Sequence, residues 1–172
     1  MNNRPKVTLR APEPEDLELL YTIENDTEIW DTSSATVNYS RYAIKQYLAG
    51  QPQEIMIAGE VRLIITDSET EEAVGLIDLT NYSATDRSAE IGIALLKSER
   101  GKGYGQAAIK EIERYAARFY NLRMLYARTS ADNTSAAKNL FLACKYIPVA
   151  TLPEWHFNQG RYEDLTVFKK NL

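Results

Sequence analysis

An α+β fold, layered as sheet against helices, is what this sequence of 172 residues predicts, and three observations predict it. Apolar residues alternate with polar ones, the period of a half-buried strand, in several short runs. Three of these, residues 61–66 (VRLIIT), 73–79 (AVGLIDL) and 89–96 (AEIGIALL), follow one another across short polar loops, the pattern of an antiparallel meander. Ala108, Ile109, Ile112, Tyr115, Ala116 and Phe119 then recur at three-to-four spacing, which gives residues 104–120 one apolar face and makes them a helix.

The remaining elements follow in chain order. Residues 6–10 (KVTLR) read as a short first strand with Val7 and Leu9 on one face. Pro12, Glu13, Pro14, Glu15 and Asp16 make a turn and an acidic helix start, which suits the positive end of the helix dipole. Leu17, Leu20, Tyr21 and Glu24 share a face of that helix, and "ENDTEIWDTSS" reads as an acidic loop around Trp30. Ser40 caps a second helix that ends at Gly50, and "PQEIMIAGE" fits either a short helix or an extended approach to the sheet.

Beyond the long helix, Asn121 is the stop and residues 122–129 (LRMLYART) are a strand. Residues 132–135 open a helix that runs through Cys144, residues 146–152 are a strand, "PEWHFNQGRY" is a turn around Gly160, and residues 164–169 are the closing strand. The order is β-α-α-β-β-β-α-β-α-β-β, about seven strands and four helices, mostly antiparallel with one central strand-helix-strand unit. No repeat, low-complexity tract or linker interrupts it, so residues 1–172 read as a single domain.

Composition excludes several kinds of chemistry. The single cysteine, Cys144, rules out an internal disulfide framework or a cysteine zinc site. The single histidine, His156, argues against a histidine metal site or a histidine-dependent triad, so no metal is expected. Charges of both signs are interspersed with a net of −4, which disfavours a nucleic acid and accommodates a small cationic substrate. No apolar stretch is long enough to span a membrane and the first residues are polar, so the expected location is the cytoplasm.

The most informative stretch joins a strand to a helix through Arg100-Gly101-Lys102-Gly103-Tyr104-Gly105. Alternate glycines remove side chains where backbone must come close to something or take a positive φ. The helix that follows brings unpartnered N–H groups and about half a positive charge, and Arg100 and Lys102 add whole ones. Such a turn attracts a phosphate or diphosphate. The plainer alternative is a tight turn with packing glycines and solvated cations. A Walker loop is absent, and the G-x-G-x-G spacing after a meander does not fit the dinucleotide fingerprint of a parallel βαβ unit.

"AEIGIALLKSERGKGYGQAAIKEI" resembles motif A of the GNAT acetyltransferases, whose signature is Arg/Gln-x-x-Gly-x-Gly/Ala, matched by Arg100, Gly103 and Gly105. "VTLRAPEPEDLELLYTIEND" is similar to that superfamily's first strand and helix, "ADNTSAAKNLFLACKY" to its motif B and "GRYEDLTVFKKNL" to its closing strand. In detail the chain resembles the branch that holds ribosomal-protein N-terminal and spermidine acetyltransferases. The resemblance implies a GNAT fold whose two central strands splay apart to admit acetyl-CoA. It places the coenzyme's diphosphate on Arg100, Gly101, Lys102, Gly103, Tyr104 and Gly105, and its pantetheine arm along Ile93, Ala94, Leu95, Leu96 and Lys97. Asn133 matches a motif B residue that contacts the arm, and could equally cap its helix.

Acetyl transfer to an amine needs a base for the ammonium, a donor for the oxyanion and a route out for the thiolate. The resemblance makes Glu90 the candidate base, working through water, and a backbone N–H near Leu95 the donor; the plainer alternative for Glu90 is a strand-start glutamate, solvated or paired with Arg87. Motif B departs from the family pattern: Phe141 stands where a tyrosine is usual and Lys145 where a glycine is usual. Tyr146, Tyr126 or Ser135 could supply the missing hydroxyl, or the thiolate could leave unaided. The acceptor wall would carry Glu24, Asp26, Glu28, Trp30 and Asp31, with Glu154, Trp155, His156 and Tyr162 from the last hairpin. Carboxylates beside aromatics suit a cationic amine: a polyamine, a protein N-terminal α-amine or an amino sugar. The alternative reading is a non-catalytic acyl-CoA-binding module, and a homodimer is the assembly that relatives suggest.

Overall fold

Every alternating run of the sequence joins one sheet. In the computed structural model, which describes residues 5–30, 38–50, 55–132, 135–158 and 160–172, the strands are β1 (Val7–Arg10), β2 (Val61–Asp67), β3 (Ala73–Ser83), β4 (Ser88–Leu95), β5 (Met124–Ser130), β6 (Ile147–Asn158) and β7 (Arg161–Asn171). They lie in the order β1-β2-β3-β4-β5-β7-β6. All neighbours are antiparallel except β4 and β5. The helices are α1 (Leu17–Glu24), α2 (Thr27–Trp30), α3 (Arg41–Gly50), α4 (Ile55–Ala58), α5 (Tyr104–Phe119) and α6 (Ala136–Ala143). None among the described residues is long and apolar enough to cross a membrane.

The sheet separates two apolar layers. On one face Ala108, Ile109, Ile112 and Ala116 of α5 pack with Phe141 of α6 against Ile65, Ile77, Leu79, Ile91, Leu125 and Phe168. On the other, Leu20 and Ile23 of α1 and Ile44 of α3 cover Ile64 and Leu76. Within β4 the alternation is as the sequence reads: Ile91 belongs to the α5 layer, whereas Ala94 packs toward α1 and α3. Ser40 caps α3, its hydroxyl accepting from the N–H of Ala43 at 3.1 Å.

The structure departs from the sequence reading at α2, β3 and β6, and decides the stretch left open before β2. The acidic loop after α1 contains the one-turn helix α2, and the ambiguous stretch before β2 contains the one-turn helix α4. β3 runs on to Ser83, so part of the expected polar turn is strand. β6 extends through the expected "PEWHFN" turn to Asn158. Pro148 and Pro153 both lie in β6, which is the edge of the sheet, where a missing N–H breaks no ladder on the outer side. The register slips near both prolines, between Pro148 and Ala150 and between Leu152 and His156.

Candidate active site

β4 and β5 stay together for only three residue pairs, Ser88–Met124, Ala89–Leu125 and Glu90–Tyr126. Beyond Glu90 they part. Leu96 N–H donates to the Val74 carbonyl at 3.0 Å, so with an unbroken register from Gly75–Leu95 to Thr80–Glu90 the even-numbered residues of β4 bond to β3. Antiparallel alternation then turns the N–H and C=O of Ile93 and Leu95 the other way, toward the strand that has left. The Leu95 carbonyl accepts from Arg100 Nε at 3.2 Å. The N–H groups of Ile93 and Leu95 face a cleft of about 810 Å³ lined by both residues and, across the gap, by Ser130.

At its far end the cleft reaches the glycine turn. Gly101 (φ 78) and Gly103 (φ 96) are left-handed, the conformation for which glycine is suited, and Gly103 is the N-cap of α5 with no side chain closing the helix end. Gly103 and Gly105 line the cleft, which leaves the first N–H groups of a 16-residue helix available to an anion. Gly105 also lets α5 approach α6, because a Cβ there would sit 3.1 Å from Leu140. The donor set matches a ligand with a diphosphate at one end and an amide-bearing arm at the other.

Charge around the turn is already partly matched. Arg100 donates to Asp26 at 2.5 Å and to Glu28 at 3.0 Å, and Lys97 donates to Glu28 at 2.5 Å. Burial alone would raise the Asp26 carboxyl, but the Arg100 bond, the Glu28 N–H and the charges of Arg100 and Lys97 hold it below the ordinary carboxylate range. The Lys97 hydrogen bond does the same for Glu28. Lys102 pairs with Glu99. Tyr104 points away from the cleft to donate to Asp67 at 2.6 Å, and that bond pushes its hydroxyl up to about 12. Of the residues expected to hold the coenzyme, Ile93, Ala94, Leu95, Arg100, Gly101, Gly103 and Gly105 line the cleft, Leu96, Lys97, Lys102 and Tyr104 flank it, and Asn133 lies outside the described residues.

Phe141, expected among the coenzyme-binding residues, and Tyr146, expected as a catalytic hydroxyl, stand behind the wall rather than on it. Phe141 is 3% exposed, edge-on to Tyr146 at 5.1 Å between centroids and stacked on Phe168 at 6.5 Å. Tyr146 is 2% exposed, and burial raises its hydroxyl above the ordinary tyrosine value. Among the hydroxyls weighed from the sequence, Ser135 lines the cleft, where it caps α6 by accepting from the Lys138 N–H, and Tyr126 sits at the end of the β4–β5 pairing.

Glu90 occupies that last paired position with a side chain 13% exposed. Arg128 grips it with two bonds, Nε at 2.8 Å and Nη2 at 3.0 Å, and Asn81 Nδ2 donates at 2.8 Å. Across β3 lies a second cavity, of about 290 Å³, on the α1–α3 face. Thr80 and Asp78, the register partners of Glu90 and Gly92, are on its wall. The stretch from Glu90 to Gly92 lines neither space, but the register partners of its two ends wall the cavity and Ile93, which follows it, walls the cleft. Tyr39 and Tyr47 line the cavity with Glu24, Glu60 and Arg62. Arg62 bridges Glu24 (2.5 Å) and Asp78 (2.8 Å) with all three side chains at most 24% exposed.

Candidates for the acceptor wall are dispersed. Glu24 reaches the second cavity and Glu28 the cleft rim. Trp155 is 60% exposed on β6, and Tyr162 stacks edge-on with Phe157 at 5.3 Å. Glu154 and His156 sit on β6 beside them. Trp30 closes α2, its side chain lying, like Asp31, outside the described residues. Sequence reasoning missed Asp78, Glu60 and Arg62. A charge at an apolar position of a central strand, as in "VRLIIT" and "GLIDL", was the available signal.

Residues 6–140 match the family model described as an acetyltransferase (GNAT) domain. The chain belongs to the GNAT acetyltransferase family. This acetyltransferase is 26% identical over 163 residues to the spermidine N(1)-acetyltransferase of Vibrio cholerae serotype O1, covering 93% of this chain and 90% of that protein. It is 25% identical over 168 residues to the N-acetyltransferase p20 of Bacillus licheniformis, covering 95% and 91%. A crystal structure of the Vibrio cholerae spermidine N-acetyltransferase in complex with CoA and spermine superposes with a TM-score of 0.84 at 25% identity, over 96% of this chain and 95% of that one. A dodecameric structure of the same enzyme gives 0.78 at 26% identity, over 96% and 94%. The protein is an N-acetyltransferase that takes its acetyl group from acetyl-CoA.

Proposed function

We propose that residues 1–172 act as one acetyltransferase domain whose acceptor is a linear, polyamine-type cation entering by the second cavity. The observation that carries this reading is the position of Glu90 at the last rung between β4 and β5, beside Thr80 on the cavity wall and three residues before Ile93 on the cleft wall. Three carboxylates, Glu24, Glu60 and Asp78, line that cavity against one guanidinium, Arg62, so its net charge is negative. Tyr39 and Tyr47 add ring faces for an ammonium. The likeness to a spermidine acetyltransferase supports the same acceptor class.

Acetyl-CoA supplies an acetyl thioester, whose carbonyl carbon takes the amine's electron pair as the C–S bond breaks. The chain's part is to bind, orient and move protons. The free N–H groups of Ile93 and Leu95 hold the arm and face the charge that develops on the acetyl oxygen; one such donor is commonly worth 10²–10³-fold in rate. The N-terminus of α5 and Arg100 hold the diphosphate. Glu90 accepts the acceptor's proton through water, since an alkylammonium with a pKa of about 10 is almost wholly protonated at neutral pH. A thiolate of pKa about 8.5, by analogy with cysteine, leaves without an obligatory acid; Ser135 on the cleft wall and Tyr126 at the last β4–β5 rung are the hydroxyls available to protonate it. The test is thiol release from acetyl-CoA with spermidine, a ribosomal-protein N-terminal peptide and an aminoglycoside in parallel. Spermidine alone should release thiol rapidly. Release with the peptide alone would overturn the acceptor class, and binding of acetyl-CoA without release by any amine would leave a coenzyme-binding module.

A further inference from the structure

The residues that hold Glu90 are arranged in a way strand geometry alone does not require. Asn81 lies where the β3–β4 register slips, between Thr80 and Ser83. It takes φ 51, the left-handed region that asparagine tolerates better than most residues. A bulge of this kind re-aims a side chain. Here it turns the amide of Asn81 onto Oε2 of Glu90 at 2.8 Å. Arg128 comes from the opposite direction. It lies two residues past the last β4–β5 pair, on the strand that is departing, and its guanidinium reaches back across the opening to both carboxylate oxygens. Its side chain is 42% exposed, so it is not there to fill the core. Tyr126, opposite Glu90 in register, keeps its proton, because burial and the nearby Glu90 charge raise its hydroxyl.

An ionised carboxylate has about four lone-pair directions. Three donors, from β3 and β5, occupy three of them and leave one. We infer that Asn81 and Arg128 are positioning residues for the acetyl transfer: together they fix the Glu90 carboxylate so that its one open lone pair addresses the water or amine proton at the start of the split. The inference rests on the reading of Glu90 as the base. Neither residue needs to touch either substrate. Positioning of this sort matters because a catalytic group displaced by about 1 Å can lose around 10²-fold in rate.

The substitutions Asn81→Gly and Arg128→Ala test it. Glycine accepts the left-handed backbone, so Asn81→Gly removes the amide and keeps the bulge. Steady-state rates with acetyl-CoA and the best acceptor would be measured in the wild-type background and in a Glu90→Gln background, with the melting temperature of each variant. Glu90→Gln should lower kcat by about 10²-fold or more. Asn81→Gly and Arg128→Ala should each lower kcat by about tenfold, with KM for acetyl-CoA and the melting temperature little changed. On top of Glu90→Gln, both should have almost no further effect, because they act through the carboxylate that is gone. Arg128→Lys, which keeps charge but not the two-pronged grip, should recover part of the loss. Wild-type kcat in both single variants, or an equal loss in the Glu90→Gln background, overturns the positioning role. Wild-type kcat in Glu90→Gln itself overturns the base assignment instead.

Discussion

Arg100 is the residue on which two demands meet. In the proposed reading it holds the coenzyme's diphosphate, and Asp26 and Glu28 already hold it. Both carboxylates come from the segment just after α1, far from Arg100 in sequence, so their removal should leave the turn itself intact. Partly exposed ion pairs of this kind contribute about 0.2–1 kcal/mol. The double variant D26N/E28Q should therefore bind acetyl-CoA more tightly, by roughly two- to fivefold, in calorimetry at low salt. Weaker binding would mean that the carboxylates align Arg100 rather than compete for it. Lys145 makes a second case at this scale. It follows the α6 C-cap with φ 66, a position that favours glycine and where a glycine is usual in the family motif. Lys145→Gly should stabilise the fold by about 1 kcal/mol and raise the melting temperature by roughly 2–4 °C.

At the scale of the element, β4 carries the site because its two edges have different neighbours. One edge is bonded to β3 along its length, and the other is bonded to β5 for three rungs and then bare. Gly75 keeps the first edge tight, since a Cβ there would lie 2.4 Å from the Ala94 carbonyl oxygen. Gly75→Ala should cost about 1–3 kcal/mol and weaken acetyl-CoA binding as well, because Ala94 and Leu95 wall the cleft; a thermal melt paired with calorimetry checks both. Much of this was legible in the sequence. The alternation of β4, the amphipathic α5 and the glycines between them are local patterns, and local patterns fix strand, helix and turn. What local pattern could not supply was which charges meet across the sheet. Arg128 finds Glu90 because two strands are parallel neighbours, and Arg62 finds Asp78 and Glu24 through pairing and a helix far away in sequence. The burial of Phe141 and Tyr146 likewise follows from packing, Phe141 lying between Tyr146 and Phe168, and the long β6 follows from its place at the edge.

Taken whole, the molecule has two apolar layers that share one sheet. The interruption in that sheet is where the proposed chemistry takes place. Acetyl-CoA at about 100 times its dissociation constant should stabilise the fold by about 2.7 kcal/mol by mass action alone. Hydrogen exchange locates where that protection arises. The amides of Ile93 and Leu95 should slow markedly when the coenzyme binds, while those of β2 and β3, already paired, should change little. Equal slowing across the sheet would argue for general tightening instead.

The short union of β4 and β5 also bears on turnover. If the arm of the coenzyme supplies the rungs missing from the sheet, as proposed above, each catalytic cycle finishes the fold and then unfinishes it. Tighter hydrogen bonds to the arm would steady the protein and delay the exit of spent coenzyme in the same stroke. An enzyme built this way can be made more heat-resistant by its own reactant, and more slowly cycling by any change that copies that reactant's grip.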